Sequence, residues 1–246
     1  MFEKLYRKNL NCYISFCIIQ LVKGINYRLK RVRVYPQRRI IMDVRELAVQ
    51  KKRELKGFLT VGTKYELKDA HDLSVAYTPG VAEPCLRIKD NEAESFELTC
   101  RSNMVAVVSD GTRVLGLGDI GAAAALPVME GKSLLFKKFG DVDCIPLVVD
   151  TKDADTLINT VKLLQKNFAG INLEDISSPK CYEIENRLKE ELEIPVFHDD
   201  QHGTAIACLA GVKGALRLVK KDLATAKIVV NGAGAAGANI ARLLRS

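Results

Sequence analysis

Two short apolar runs, residues 171–173 and 194–197, each end in a pair of carboxylates, Glu174 and Asp175 after the first and Asp199 and Asp200 after the second. Between them Cys181, Ile184, Leu188 and Leu192 recur at the three-and-four spacing of one helix face. Ser178 is the expected cap, and Pro179 suits the first helical position, where its missing N–H costs nothing. The pattern is strand–helix–strand, and short strands joined in that way run parallel. Parallel strands present their carboxyl ends on one edge, where open α/β sheets bind ligands. All four carboxylates are therefore expected on that edge. Like charges so close are costly unless a cation neutralises them or a pKa rises. An all-oxygen donor set suits Mg²⁺ or Mn²⁺ better than zinc.

Downstream the same geometry repeats. Ile206, Leu209, Val212, Leu216 and Val219 mark a helix over residues 204–219, and residues 227–230 read as a further strand. That strand runs into Gly232, Ala233, Gly234, Ala235, Ala236 and Gly237, followed by a helix with Ala238, Ile240, Leu243 and Leu244. A G-x-G-x-x-G turn between a strand and a helix lets the backbone approach a pyrophosphate at a helix N-terminus. A dinucleotide near a carboxylate-bound metal suggests hydride transfer from a metal-held substrate. A second G-x-G-x-x-G, at Gly116, Gly118 and Gly121, follows a hairpin signal rather than a strand. It is read as close backbone packing.

Upstream, residues 104–109 and 143–149 read as strands, and residues 43–56 and 154–168 as helices, the latter with Leu157, Val161 and Leu164 inward. Asp110 and Gly111 signal a hairpin, with residues 113–117 returning. Arg113 then needs an anionic partner if buried and is an edge-strand charge if exposed. Thr78, Pro79 and Gly80 form a turn signal, which leaves Tyr77 at its edge, read from the residues alone as half-buried packing. Lys132 lies within an apolar segment. It is either a snorkelling side chain or a desolvated lysine with a lowered pKa, able to act as a base. Gly131, Lys132 and Ser133 lack the earlier glycine of a nucleotide phosphate loop, since Leu126 stands there. His198 and His202 bracket Asp199 where a zinc hydrolase needs glutamate, and Gly203 breaks the helix that motif requires.

Charge excludes one partner class. The chain of 246 residues carries a formal +7, but residues 1–41 alone hold ten Lys or Arg and one acid. The remainder is slightly acidic, so nucleic acid is not expected to bind the folded part. The tail is expected to be an unstructured extension, with a membrane-surface anchor as the alternative; its apolar stretch, residues 11–22, is too short to span a bilayer. The seven cysteines form no C-x-x-C pair and read as buried free thiols of a cytoplasmic protein.

Taken in order, AYTPGVAEPC, SDGTRVLGLGDIG, LPVMEGKSLLFKKFG, GINLEDISSPKCYEIE, IPVFHDDQHGTA and VVNGAGAAGANIARLL resemble the malic enzymes, in particular the shorter prokaryotic type, from Met42 to the end. The resemblance implies an α/β fold. Residues 42–201 would form the malic-type substrate domain with parallel strands, and residues 202–246 the first βα unit of a Rossmann-like NAD(P)-binding domain. It implies oxidative decarboxylation of malate to pyruvate and CO₂ with NAD or NADP and Mn²⁺ or Mg²⁺. The family's metal ligands fall on Glu174, Asp175 and Asp200, with Asp199 beside them in the catalytic cluster. Its base falls on Lys132, its acid on Tyr77, its substrate-carboxylate arginine on Arg113, and its cofactor contacts on Gly232, Gly234, Ala235, Ala236 and Gly237. A homodimer is the family expectation. The chain stops nine residues after Gly237, before the position that sorts NAD from NADP. It therefore reads as a truncated member, expected to be inactive alone. The alternatives are a non-catalytic remnant that keeps metal binding or subunit pairing, and another nicotinamide-dependent oxidoreductase.

Overall fold

The structure is a computed structural model that describes residues 38–246. The expectations for residues 1–37 of the basic tail, and for Cys12 and Cys17, concern residues outside that range, whereas residues 38–41, expected to be unstructured, are helical. Helix α1 (Arg38–Leu55) begins four residues before Met42. Two short helices follow, α2 (Ala70–Ala76) and α3 (Ala82–Asp90), and neither buries any of its own residues. A brief α4 (Ser95–Leu98) leads to the sheet. Arg101, 4% exposed, anchors this approach by bonding to Ser95 Oγ at 2.8 Å and to the Phe168 carbonyl at 3.3 Å.

Four strands form the sheet: β1 (Met104–Ser109), β2 (Asp143–Val148), β3 (Gly170–Leu173) and β4 (Val196–His198). The order is β2-β1-β3-β4, and every pair is parallel. The connections are α5 (Ala122–Gly140), α6 (Ala154–Leu164) and α7 (Lys180–Glu191). β3 is buried along its whole length, as a central parallel strand covered on both faces must be. β2 lies at an edge, where Pro146, lacking an N–H, is tolerated. One face of the sheet packs Ala106, Val108, Ile171, Leu173 and Val196 against Leu157, Ile158 and Val161 of α6 and Cys181, Ile184 and Leu188 of α7. On the other side α5 covers β1 and β2 and buries Ala125 and Met129.

The parallel strand–helix–strand unit over residues 170–198 is as expected, with local differences. Helix α7 has Pro179 rather than Ser178 as its N-cap, without a side-chain cap bond. In α6, Leu164 is 36% exposed at the helix end, so of the three residues expected inward Leu157 and Val161 are buried and Leu164 is not, while Ile158 is buried beside them. No hairpin follows Asp110 and Gly111. Both sides of β1 are already taken by parallel partners, so a returning strand has no edge to pair with. Residues 113–118 form a loop closed by the single bridge Val114–Gly118. Gly111, at φ +70°, permits this path: a Cβ there would lie 2.4 Å from the Gly121 carbonyl oxygen. The close backbone packing expected at Gly116, Gly118 and Gly121 is not found, since a Cβ on any of them would meet nothing within 4 Å; the close approach is at Gly111, and Gly121 caps α5.

After β4 the chain makes a π-helical turn, Asp199–Gly203, and enters α8 (Thr204–Leu218). Ala205, Val212 and Leu216 are its buried residues, while Ile206, expected inward, is 57% exposed. Residues 227–230 do not form the expected strand. No described strand runs beside them, and a lone strand leaves its N–H and C=O groups unpaired. The glycine turn does open a helix, α9 (Ala235–Arg245), which packs on α8 and on the π-helical turn and buries Ile240. Among the described residues no helix is long and apolar enough to cross a membrane.

The packing makes a direct prediction. Ile184 is fully buried in the main core, whereas Leu163, on neighbouring α6, is 84% exposed. Ile184→Ala is expected to cost about 2–5 kcal/mol in urea unfolding, and Leu163→Ala at most about 0.5 kcal/mol. Equal costs would mean that α7 is not seated as described.

Candidate active site at the carboxyl edge of the sheet

The strand register builds the site. Val108 pairs with Leu173, and Leu173 with His198, so β1, β3 and β4 end at one level. The residues that follow them are Asp110, then Glu174 and Asp175, then Asp199 and Asp200. The Glu174 amide donates to the Val108 carbonyl at 2.9 Å and carries the ladder into the site. Asp175, at φ +55°, then turns the chain, and its amide donates to Asp200 Oδ2 at 2.8 Å. The two acid pairs are thereby joined through a backbone N–H.

Lys132, on α5, bridges the pairs from above. Its Nζ lies 3.1 Å from Glu174 Oε1 and 2.7 Å from Asp199 Oδ2. Asp199 holds its place only because residue 203 is glycine: a Cβ on Gly203 would stand 2.0 Å from Asp199 Oδ1. Beside the cluster, Asp110 binds Lys180 Nζ at 2.5 Å and accepts from both the amide and the hydroxyl of Thr112. Thr112 Oγ1 in turn accepts from the Ser177 amide at 3.0 Å. This braces the loop that carries Arg113, whose amide donates to the Asp175 carbonyl at 3.0 Å.

Burial and mutual repulsion set the electrostatics. Burial, with the Asp200 charge in second place, pushes the Glu174 carboxyl up to about 8. The same two causes push Asp175 up to about 6. For Asp200 burial works upward, but His198 and the Asp175 amide outweigh it and the group lies below its ordinary value. Lys132 corrects the sequence reading. Burial is the largest single influence and works to lower its pKa, as anticipated, yet Glu174 and Asp199 together raise it above the ordinary value. In the protein alone Lys132 is a clamped ammonium.

Glu174, Asp175, Asp199, Asp200 and Lys132 are thus brought together, and Arg113 reaches the same edge through its backbone with an exposed side chain. Tyr77 is not packed there. It is the C-cap of α2 and is 68% exposed, which replaces the half-buried reading. The glycine turn at Gly232, Gly234, Ala235, Ala236 and Gly237 opens α9, next to the π-helical turn that holds Asp199 and Asp200. Cys181 is buried, but Cys85 and Cys100 are exposed, so the thiols are not uniformly interior.

Several polar residues of the site escaped sequence reading. Asn172 donates to Glu174 Oε2 at 3.0 Å, and Glu185 is buried on α7. A signal for each was present: an amide inside an apolar strand, and an acid four residues after Cys181 on the apolar helix face.

Among the described residues no group of three or more His, Cys, Asp or Glu side chains stands close enough together to hold a metal ion. The ligand types nevertheless fit: Glu174, Asp175 and Asp200 are hard oxygen donors, and Asp175 Oδ2 is buried without a hydrogen-bond partner. The raised carboxyls make a stability prediction. A carboxyl whose pKa is higher folded than unfolded stabilises the fold below its unfolded pKa, and that contribution is lost as pH rises through its folded pKa. The ordinary values are 4.5 for Glu174 and 3.8 for Asp175. Thermal stability of the metal-free chain is therefore expected to fall, by several kcal/mol, between about pH 4 and about pH 8. Mn²⁺ or Glu174→Gln should flatten that slope; a stability that rises over the window would refute the buried-acid assignment.

Known proteins of similar sequence carry the same arrangement of segments. Residues 59–189 match the malic enzyme N-terminal domain, and residues 201–246 the malic enzyme NAD-binding domain. The chain is 54% identical over 203 residues to the bifunctional malic/malolactic enzyme of Bacillus subtilis, covering 82% of this chain and 50% of that one. It is 55% identical over 188 residues to the NAD-dependent malic enzyme of Geobacillus stearothermophilus, covering 76% and 39%. Among solved structures, Entamoeba histolytica malic enzyme superposes with a TM-score of 0.82 at 40% identity, over 87% of this chain and 46% of that one. The NAD-dependent malic enzyme of Thermotoga maritima gives 0.78 at 48% identity, over 80% and 52%. The chain thus spans half or less of the length of these two curated relatives. With the N-terminal domain matched over more than half of its residues and the glycine turn falling in the matched start of the cofactor domain, this chain belongs to the malic enzyme family.

Proposed function

We propose that the chain supplies the substrate-binding and metal-binding half of a metal-dependent malate oxidoreductase, which converts malate to pyruvate and CO₂ as NAD or NADP is reduced. The observation that carries this reading is the lysine-bridged pair of acid dyads at the ends of β3 and β4. Glu174, Asp175 and Asp200 would hold Mn²⁺ or Mg²⁺. A dication held there would supply Lewis-acid charge to the substrate oxygen and offset the negative field around Lys132, and a dinucleotide held at the glycine turn would supply the hydride acceptor.

The remaining work falls to the side chains. Arg113 faces solvent at the cluster's edge and meets a substrate carboxylate there. Lys132 is held by Glu174 and Asp199 at the point where a substrate hydroxyl would be deprotonated, and it moves that proton at Nζ. Asp199 orients the ammonium. Tyr77 is the proton donor to the carbon left by CO₂ loss. Its exposure at the α2 C-cap requires the α2 segment, or the same segment of a second copy, to close over the edge. A homodimer belongs to the same proposal.

The test separates ligand binding from proton transfer. Mn²⁺ binding to the purified chain, read by electron paramagnetic resonance, should weaken at least about 100-fold in Asp200→Ala. Lys132→Ala should bind Mn²⁺ at least as well as the parent, since the competing ammonium is gone. In a chain extended by a complete cofactor-binding domain, that same substitution should lower malate turnover by about 10²–10⁴-fold. Undiminished Mn²⁺ binding in Asp200→Ala would remove the cluster from the mechanism.

A further inference from the structure

Behind the carboxylates a second set of polar side chains is buried, and it runs from α7 through the π-helical turn to α9. Glu185 is 2% exposed; its Oε1 lies 2.7 Å from Lys189 Nζ and 2.7 Å from His202 Nε2. Gln201 Nε2 donates to Glu185 Oε2 at 2.8 Å and stands 2.6 Å from His198 Nδ1. An amide nitrogen carries two hydrogens, enough for both contacts and with no capacity to accept. Nδ1 of His198 is therefore the acceptor, and the ring proton resides on Nε2. That atom is fully buried and lies 3.4 Å from Asp200 Oδ2. On its other side, Gln201 Oε1 accepts from Asn239 Nδ2 at 2.7 Å, and Asn239 Nδ2 also donates to the Ala235 carbonyl at 3.1 Å. Ala235 is the first residue of α9, directly after Gly234 of the glycine turn.

We propose that Gln201 is a positioning residue that ties the carboxylate edge to the glycine turn: its amide nitrogen sets the His198 tautomer that faces Asp200, and its carbonyl holds Asn239 at the start of α9. Gln201 and His198 are buried and the amide of Gln201 has both ends committed, so neither group can reorient without stranding a partner. The glycines then sit at a fixed offset from the acid dyads, although no strand links them. The tie also makes the two ends thermodynamically reciprocal: whatever a divalent cation at Asp200 does to the turn, a ligand at the turn does to the cation.

Nuclear magnetic resonance of the ¹⁵N-labelled chain tests both halves, the first without any metal and so independently of the cation reading on which the second rests. In the metal-free chain the ring nitrogens of His198 should report a single tautomer protonated on Nε2. In Gln201→Leu that tautomer should give way to a mixture, with the Asn239 side-chain amide signals displaced and circular dichroism unchanged. A parent protonated on Nδ1, or an unaltered tautomer in folded Gln201→Leu, would overturn the assignment. In the second arm Mg²⁺ alone is titrated. In the parent it should shift the backbone amides of Gly232, Gly234 and Gly237, and Asn239→Ala should abolish those shifts while leaving the His198 tautomer as it was. Gln201→Leu should weaken Mg²⁺ about 10–100-fold. Shifts that persist in Asn239→Ala would overturn the tie to the turn. A parent that takes up no Mg²⁺ would refute the cation reading of the previous section, and the metal-free spectra would still decide the role of Gln201.

Discussion

Parallel pairing of β1, β3 and β4 in a common register is the constraint on which the rest of the molecule depends. Parallel strands send every carboxyl end to one edge, and this register stops three of them at the same level. The acidic residues that follow are then forced into proximity by backbone hydrogen bonds, against their own repulsion. The core below supplies the free energy: the face between α6, α7 and the sheet is lined almost wholly by aliphatic side chains. The repulsion persists as the raised carboxyls of Glu174 and Asp175 and as the ion pairs of Lys132.

Close approach of backbone to side chain shapes the site more than conformational freedom does. Gly203 has ordinary helical torsions, yet a Cβ there would displace the Asp199 carboxylate. Gly111 needs both its left-handed torsion and the absence of a side chain, since the Gly121 carbonyl presses on it. These contacts let the loop after β1 pass under α5 and place Arg113 beside Asp175. At the base of the cluster Asn172 donates to Glu174, and Asp110 accepts from Thr112 and pairs with Lys180.

The family assignment and the geometry meet at the same residues, but they differ in kind. Family membership follows from matched sequence over both domains. The geometry shows only how those residues stand to one another: the two acid pairs joined through the Asp175 amide and clamped by Lys132, and a chain of side-chain hydrogen bonds running through Gln201 to the start of the helix after the glycine turn. Tyr77 shows the difference. Its place in the family pattern is plain, yet its side chain is largely in solvent on a segment with little core of its own.

Alternation of apolar runs and amphipathic stretches was enough to determine the parallel α/β unit, the edge on which the four carboxylates lie, and the helix after the glycine turn. Those features depend on local periodicity and on the chain-direction rule for crossover connections, both of which are written in the order of residues. The hairpin expected after β1 failed because its signal was local while the neighbouring edges were already filled by β2 and β3. The strand at residues 227–230 failed for the converse reason, since a strand exists only beside another. Lys132 was legible as a buried lysine, but the direction of its pKa shift was not, because it depends on Glu174 and Asp199 arriving from two other strands. Glu185, His198, Gln201 and Asn239 lie in three separate stretches of sequence, and nothing in their spacing joins them; they become a network only when α7, the π-helical turn and α9 are packed together, and hydrogen bonds of 2.6 to 2.8 Å can be made only after tertiary structure has brought their partners within reach.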